Sequence, residues 1–190
     1  QAAMGGGNTS GDSNVAIGTN AMDALTSGAC NIAIGKNAYG VGIQAADNIA
    51  IGQTAMGASL VTGNSNLAIG KNAADALLAG ACNIAMGENA FGAGTTGLKN
   101  IAIGQTALGA STTGCQNVAI GRLAMYNSDV TGIDNIGIGT SVMDALTTGI
   151  CNVAIGTNAL GAATTGCLNI AIGDTAMGAG VVHRTGSGEA

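Results

Sequence analysis

The sequence predicts an all-β, single-domain parallel β-solenoid of about ten coils. Three observations carry this. The motif Asn-Ile-Ala-Ile-Gly, or a close variant, recurs ten times. Successive copies start 17, 17, 18, 17, 17, 17, 18, 17 and 17 residues apart. Gly is abundant at 34 residues, Pro is absent and charged residues make up only 8% of the chain. A period this short excludes helical repeats, which need roughly 33 residues, and suits one turn of a β-solenoid. Ala and Met favour helices, but the Gly density and the Ile/Val strings oppose them.

The elements of one coil follow from one consensus, approximately N-I-A-I-G-x-N/T-A-M-G-A-x-T-T-G-x-x. Positions are counted from its Asn. Asn-Ile-Ala-Ile forms a short strand, with Ile32 and Ile34 on one face and Ala33 on the other. Gly35 ends it at a corner that takes positive φ. A second short strand is expected over Asn37 to Tyr39. The Thr-Thr-Gly stretch, such as Thr112 to Gly114, reads as the loop that closes the coil. Stacking at about 4.8 Å per coil gives a rod of roughly 48 Å. The solenoid is expected over residues 1–180, with the first coil incomplete, and residues 181–190 form a non-repeat tail. The opening in mid-coil at Gln1 reads as a segment of a longer array.

Stacking turns each equivalent position into a ladder. The first is Asn14, Asn31, Asn48, Asn66, Asn83, Asn100, Asn117, Asn135, Asn152 and Asn169. Stacked amides donate to one neighbour and accept from the other, so the structural reading is preferred over a glycan- or ice-binding row. The Gly ladder from Gly18 to Gly173 is likewise structural.

Neither face of the strand is polar. Positions 2 and 4 are Ile, Val, Leu or Met in every copy. Position 3 is Ala except at Gly137, and position 8 is Ala except at Val142. One face must fill the coil; the other forms an apolar stripe larger than a monomer usually exposes. The stripe is assigned to Ala16, Ala33, Ala50, Ala68, Ala85, Ala102, Ala119, Ala154 and Ala171. Burying it against copies of the same chain predicts cyclic closure, a homotrimer about the rod axis being the natural form.

Asp-Ala-Leu occurs at Asp23, Asp75 and Asp144, always from the tenth position and always after an 18-residue coil, the first of these inferred from Ala3-Met4-Gly5. Two readings stand: the extra residue makes a wall bulge over the next coil's Leu25, Leu77 or Leu146, or a multi-coil block was simply duplicated.

The composition excludes several functions. Formal net charge is −5 with five scattered Lys and Arg, and the sequence pI is about 4.3. No basic patch exists for nucleic acid. Mean hydropathy of +0.41 argues against disorder, and no apolar run is long enough for a membrane helix. No enzyme, cofactor or metal site is expected. The five cysteines, Cys30, Cys82, Cys115, Cys151 and Cys167, contain no C-x-x-C. They read as small buried residues at a tight corner, with a Cys151–Cys167 disulfide as the alternative. Gly92 to Gly97 fits G-x-G-x-x-G but opens no helix, so it is not a dinucleotide site. His183 is the only His and lies beyond the last coil, and the separated carboxylates read as loop caps. Asn8-Thr9-Ser10 is a lone glycosylation sequon without weight by itself.

The N-x-A-I-G-x-x-A motif, matched by eight of the ten copies, resembles the head repeats of trimeric autotransporter adhesins of the Yersinia adhesin type, and the A-I-G-x-x-A-L repeats of phage tail fibres. The resemblance covers about residues 3–180. It implies a left-handed parallel β-roll, trimeric, extracellular at a cell or virion surface, acting in attachment to a surface receptor. The coils here are longer and less charged than in those adhesin heads. The expected function is therefore a rigid rod segment of a surface fibre or adhesin. A self-assembling extracellular filament is the second reading. An ice-binding solenoid, using Thr95-Thr96, Thr112-Thr113, Thr147-Thr148 and Thr164-Thr165, is the third.

Overall fold

The computed structural model describes residues 10–41 and 44–178. It contains ten strands of three residues: β1 Val15–Ile17, β2 Ile32–Ile34, β3 Ile49–Ile51, β4 Leu67–Ile69, β5 Ile84–Met86, β6 Ile101–Ile103, β7 Val118–Ile120, β8 Ile136–Ile138, β9 Val153–Ile155 and β10 Ile170–Ile172. They form one parallel sheet in sequence order. Register is exact from coil to coil: Ala33 lies beside Ala50, and Leu67 beside Ile84. Chain order and strand order coincide because each strand is one turn after the last. That is the predicted solenoid.

Each Gly at position 5 has φ between 125° and 142°. A Cβ on Gly104 would lie 2.4 Å from the carbonyl oxygen of Gly121 in the next coil. Both backbone conformation and stacking therefore demand Gly at this corner.

The expected second strand over Asn37 to Tyr39 does not form. Asn37 and Tyr39 adopt left-handed conformations, with φ of 55° and 52°, and the chain turns a corner there instead. The same alternation recurs at Thr54 and Met56, and at Asn89 and Phe91. The N–H of Asn37 donates to Thr19 in the preceding coil, and that of Tyr39 to Ala55 in the next. These inter-coil bonds offset left-handed strain of roughly 1–2 kcal/mol per residue. The strained position 9 also carries the largest core side chains: Tyr39, Phe91, Met56 and Leu108 are fully buried.

The strand face is the reverse of the expected one. Ala33, Ala50, Ala68, Ala85, Ala102, Ala119, Ala154 and Ala171 point into the coil and are buried, and Ala16 is partly buried against the same core. They are not an outward stripe. The coil is narrow, and its opposite wall is the Ala row at position 8, such as Ala107 and Ala124. Only methyl-sized groups fit between two walls so close. The larger Ile, Val, Leu and Met side chains of positions 2 and 4 face outward. Buried volume comes instead from positions 9 and 12, including Leu25, Leu77 and Leu146.

Candidate functional site

The Asn ladder runs along the inner corner beside the sheet and is buried from Asn31 to Asn169. Each backbone N–H from Asn31 onward donates to the Oδ1 of the preceding Asn, for example Asn100 to Asn83 at 2.9 Å and Asn117 to Asn100 at 3.0 Å. The Nδ2 group crosses the coil and donates to a carbonyl near its end, as from Asn100 to Gly114 at 2.7 Å. One side chain thus closes its own coil and locks the next one onto it. The ladder amides are occupied by the fold and are not displayed to solvent.

Tyr39 enters this ladder. Its hydroxyl donates to the Ala45 carbonyl at 3.3 Å and accepts from Asn48 Nδ2 at 3.2 Å. Burial pushes the phenol up to about 12, against a smaller opposing effect of the Asn48 hydrogen bond.

The Asp-Ala-Leu coils have a clear mechanical role. In a coil followed by another of ordinary length, the position 11 N–H donates to a carbonyl of the next coil, as from Ala93 to Gly109 at 3.0 Å. In the 18-residue coils an Asp side chain of the next coil joins this contact. The Ala58 N–H meets Asp75 Oδ1 at 3.1 Å, while the Asn127 N–H keeps its bond to the Asp144 carbonyl at 3.2 Å and also meets Asp144 Oδ1 at 3.2 Å. The Asp caps the lengthened coil stacked on it, which explains why the two travel together. Partial burial pushes the Asp75 carboxyl up, opposed by hydrogen bonds from the Ala58 and Gly57 backbone. The coil preceding Asp23 lies outside the described residues.

The remaining candidates are placed as follows. Gly94 of the G-x-G-x-x-G stretch lies against the Phe91 ring, where a Cβ would approach to 2.4 Å. Its Gly is a packing requirement. Thr95 and Thr147 donate their hydroxyls to the carbonyls of Thr112 and Thr164 in the next coil. Those hydroxyls serve coil stacking. Cys30, Cys82 and Cys151 are exposed, Cys115 and Cys167 are half-buried, and all five are free thiols. They are neither the buried corner residues expected nor a Cys151–Cys167 disulfide. Position 17, held by Cys30, Cys82 and Cys151, instead points outward from a left-handed residue before each ladder Asn. His183, Asn8 and Thr9 lie outside the described residues. Among the described residues no group of three His, Cys, Asp or Glu side chains is arranged to hold a metal, and no helix is long and apolar enough to cross a membrane.

The surface feature that stands out is the outward face of the sheet. Two aliphatic side chains project from each of ten strands, and no polar side chain interrupts them. Ile136, Ile138 and Ile155 are exposed at 37–38%, although neighbouring rungs shield each of them. At the last strand Ile170 and Ile172 reach 70% and 67%. Polar rims flank the face. The residue two beyond each strand is exposed and polar at Lys36, Gln53, Lys71, Glu88, Gln105 and Arg122; the residue two before each strand is exposed at Asp47, Ser65, Lys99 and Asp134. Lys71 Nζ and Glu88 Oε1, on adjacent rungs of one rim, are 3.5 Å apart. A dry centre bordered by polar rims is the anatomy of a protein interface.

No family model matches the chain, and no curated protein or solved structure matches it.

Proposed function

We propose that this chain is a rigid rod segment of an extracellular fibre or adhesin, one that works by bundling with copies of itself and holding an attachment surface away from a cell or virion. The observation that carries this reading is the unbroken aliphatic face. A ladder of nine steps at roughly 4.8 Å is about 43 Å long. With the flanking Asn and Gly it is about 16 Å wide, on the order of 700 Å² per copy. The aliphatic strip within it, three residues or about 10 Å wide, is on the order of 430 Å², the size of patch that on a monomer is often functional. The inner polar groups bond to the neighbouring coils, so the coil's chemistry is directed at stiffness along the axis.

The fibre and adhesin reading also draws on the resemblance of the N-x-A-I-G-x-x-A repeats to adhesin heads and tail fibres. Electron microscopy of the purified chain tests it. Rods of uniform length, wider than one coil, are the expected result. Isolated single-coil rods or globular particles would overturn it.

A further inference from the structure

We infer that the aliphatic face is covered by a second copy of this chain lying parallel and in register, the direction being selected by charge on the two rims. The inference rests on the bundling reading and adds the orientation of the partner. Its basis is the order of charges along the sheet, counted in rungs by strand number.

Both rims are stacked rung by rung. Along the rim beyond the strands, Asn89 N–H donates to the Lys71 carbonyl and Thr106 N–H to the Glu88 carbonyl. Along the rim before the strands, Lys99 N–H donates to the Ala81 carbonyl and Asp134 N–H to the Cys115 carbonyl. The first rim therefore carries Lys36 at rung 2, Lys71 at rung 4, Glu88 at rung 5, Arg122 at rung 7 and Asp174 at rung 10. The second carries Asp47 at rung 3, Lys99 at rung 6 and Asp134 at rung 8.

Two faces can meet in two directions. Parallel copies related by an axis along the rod set the first rim of one against the second rim of the other, at equal heights. Asp47 then sits between Lys36 and Lys71 of the neighbouring copy, within one rung of each. Glu88 sits one rung from Lys99, and Arg122 one rung from Asp134. The single like-signed approach, Lys99 to Arg122, is shared with those two opposite partners. Antiparallel copies set like rims together, with rung 4 against rung 7 and rung 3 against rung 8. Lys71 then faces Arg122, and Asp47 faces Asp134, each directly and with the same sign, whereas the opposite-signed approaches, Glu88 to Arg122 and Lys36 to Asp174, are each one rung off. Like-charge juxtaposition at a rim suppresses the wrong arrangement more than it weakens the right one. The area also suffices: two faces of about 700 Å² bury roughly 1,400 Å², within the range of specific interfaces.

Cross-linking decides the direction. In the parallel arrangement Thr157 and Cys151 of two copies meet at rung 9. Within one chain they stand on opposite rims, roughly 15–20 Å apart. The variant retains Cys151, carries Thr157→Cys, and has Cys30, Cys82, Cys115 and Cys167 replaced by Ser. Isotope-labelled and unlabelled chains are mixed and treated with a bis-maleimide of about 10 Å, the spacing of packed sheets. Mixed-label 151–157 links are expected. A second variant, Gln53→Cys with Thr140→Cys and all five native cysteines replaced by Ser, keeps every rim charge, reports the antiparallel arrangement, in which rungs 3 and 8 of this rim meet, and is expected to give no inter-chain link. A multimer that links through 53 and 140, or lacks the 151–157 link, overturns the parallel orientation while leaving bundling intact. A monomer in sedimentation overturns bundling itself.

Discussion

Gly137 and Val142 exchange a methyl group across the interior of one coil. A Cβ on Gly137 would lie 3.1 Å from Val142 Cγ1 and 2.8 Å from Met125 Cε. Position 3 is Ala in the other nine copies, and so is position 8, so the two exceptions in the repeat are one substitution in space. The wall-to-wall distance leaves room for two methyl groups, however they are divided.

This makes the pair's energetics non-additive. Gly137→Ala overpacks the coil and is expected to cost about 1–3 kcal/mol. Val142→Ala opens a small void and costs about 1–2 kcal/mol. The double variant restores the arrangement of the other coils and is expected to lie close to the parent. Thermal or denaturant unfolding of the four proteins measures the coupling.

The ladder predicts a steep dependence on position. Asn100→Ala removes the acceptor of the Asn117 N–H and the donor to the Gly114 carbonyl. Each buried group left unpaired costs about 1–3 kcal/mol. The variant is expected to lose at least about 2 kcal/mol, or to fail to fold. Asn14→Ala, at a half-buried rung, is expected to lose less, as measured by the same unfolding curves.

The Asp caps predict a local effect. Asp75→Ala leaves the Ala58 N–H without its carboxylate, with an expected loss of about 1 kcal/mol, the usual magnitude of a lost cap. Amide hydrogen exchange is expected to quicken around Ala58 while the distant Asn152 rung stays protected. Uniform loss of protection along the rod would contradict a local cap.

Tyr39 sets an alkaline limit. Its phenol titrates from 10.0 in the ordinary state to about 12 in the fold. A raised folded value means the stabilisation is complete below pH 10 and is lost as pH rises through 12. The full loss is about 3 kcal/mol. Tyr39→Phe removes the titration, so the parent is expected to lose stability between pH 10 and 12 relative to this variant. Denaturant midpoints across that range check the sign.

Much of this fold is legible in the sequence because repetition amplifies weak signals. A single Asn-Ile-Ala-Ile-Gly says little; ten at a fixed interval define the coil length, the strand, the Gly corner and the Asn ladder. What the pattern does not reveal is which way the strand faces. Sequence alternation is informative when one face is polar, and here Ala102 and Ile103 are both apolar. Volume decides instead: a coil narrow enough for Ala102 to meet Ala107 has no room for Ile103. The corner at Asn37 to Tyr39 was hidden for a related reason, since Tyr39 occupies a left-handed conformation that its residue type does not advertise. Asn at position 7 was the available hint, because Asn tolerates that conformation. The outward thiols of Cys30, Cys82 and Cys151 follow from the left-handed residue before each ladder Asn, a feature that no composition rule announces.

The central claim is that the outward Ile face is an interface between copies. Sedimentation equilibrium of the parent chain beside Ile69→Lys with Ile103→Lys tests it most directly. The parent is expected to sediment as a discrete multimer. The double variant is expected to sediment as a monomer with an unchanged β-type circular dichroism spectrum, since both side chains lie outside the coil. A parent chain that is monomeric and soluble at tens of micromolar would contradict the claim.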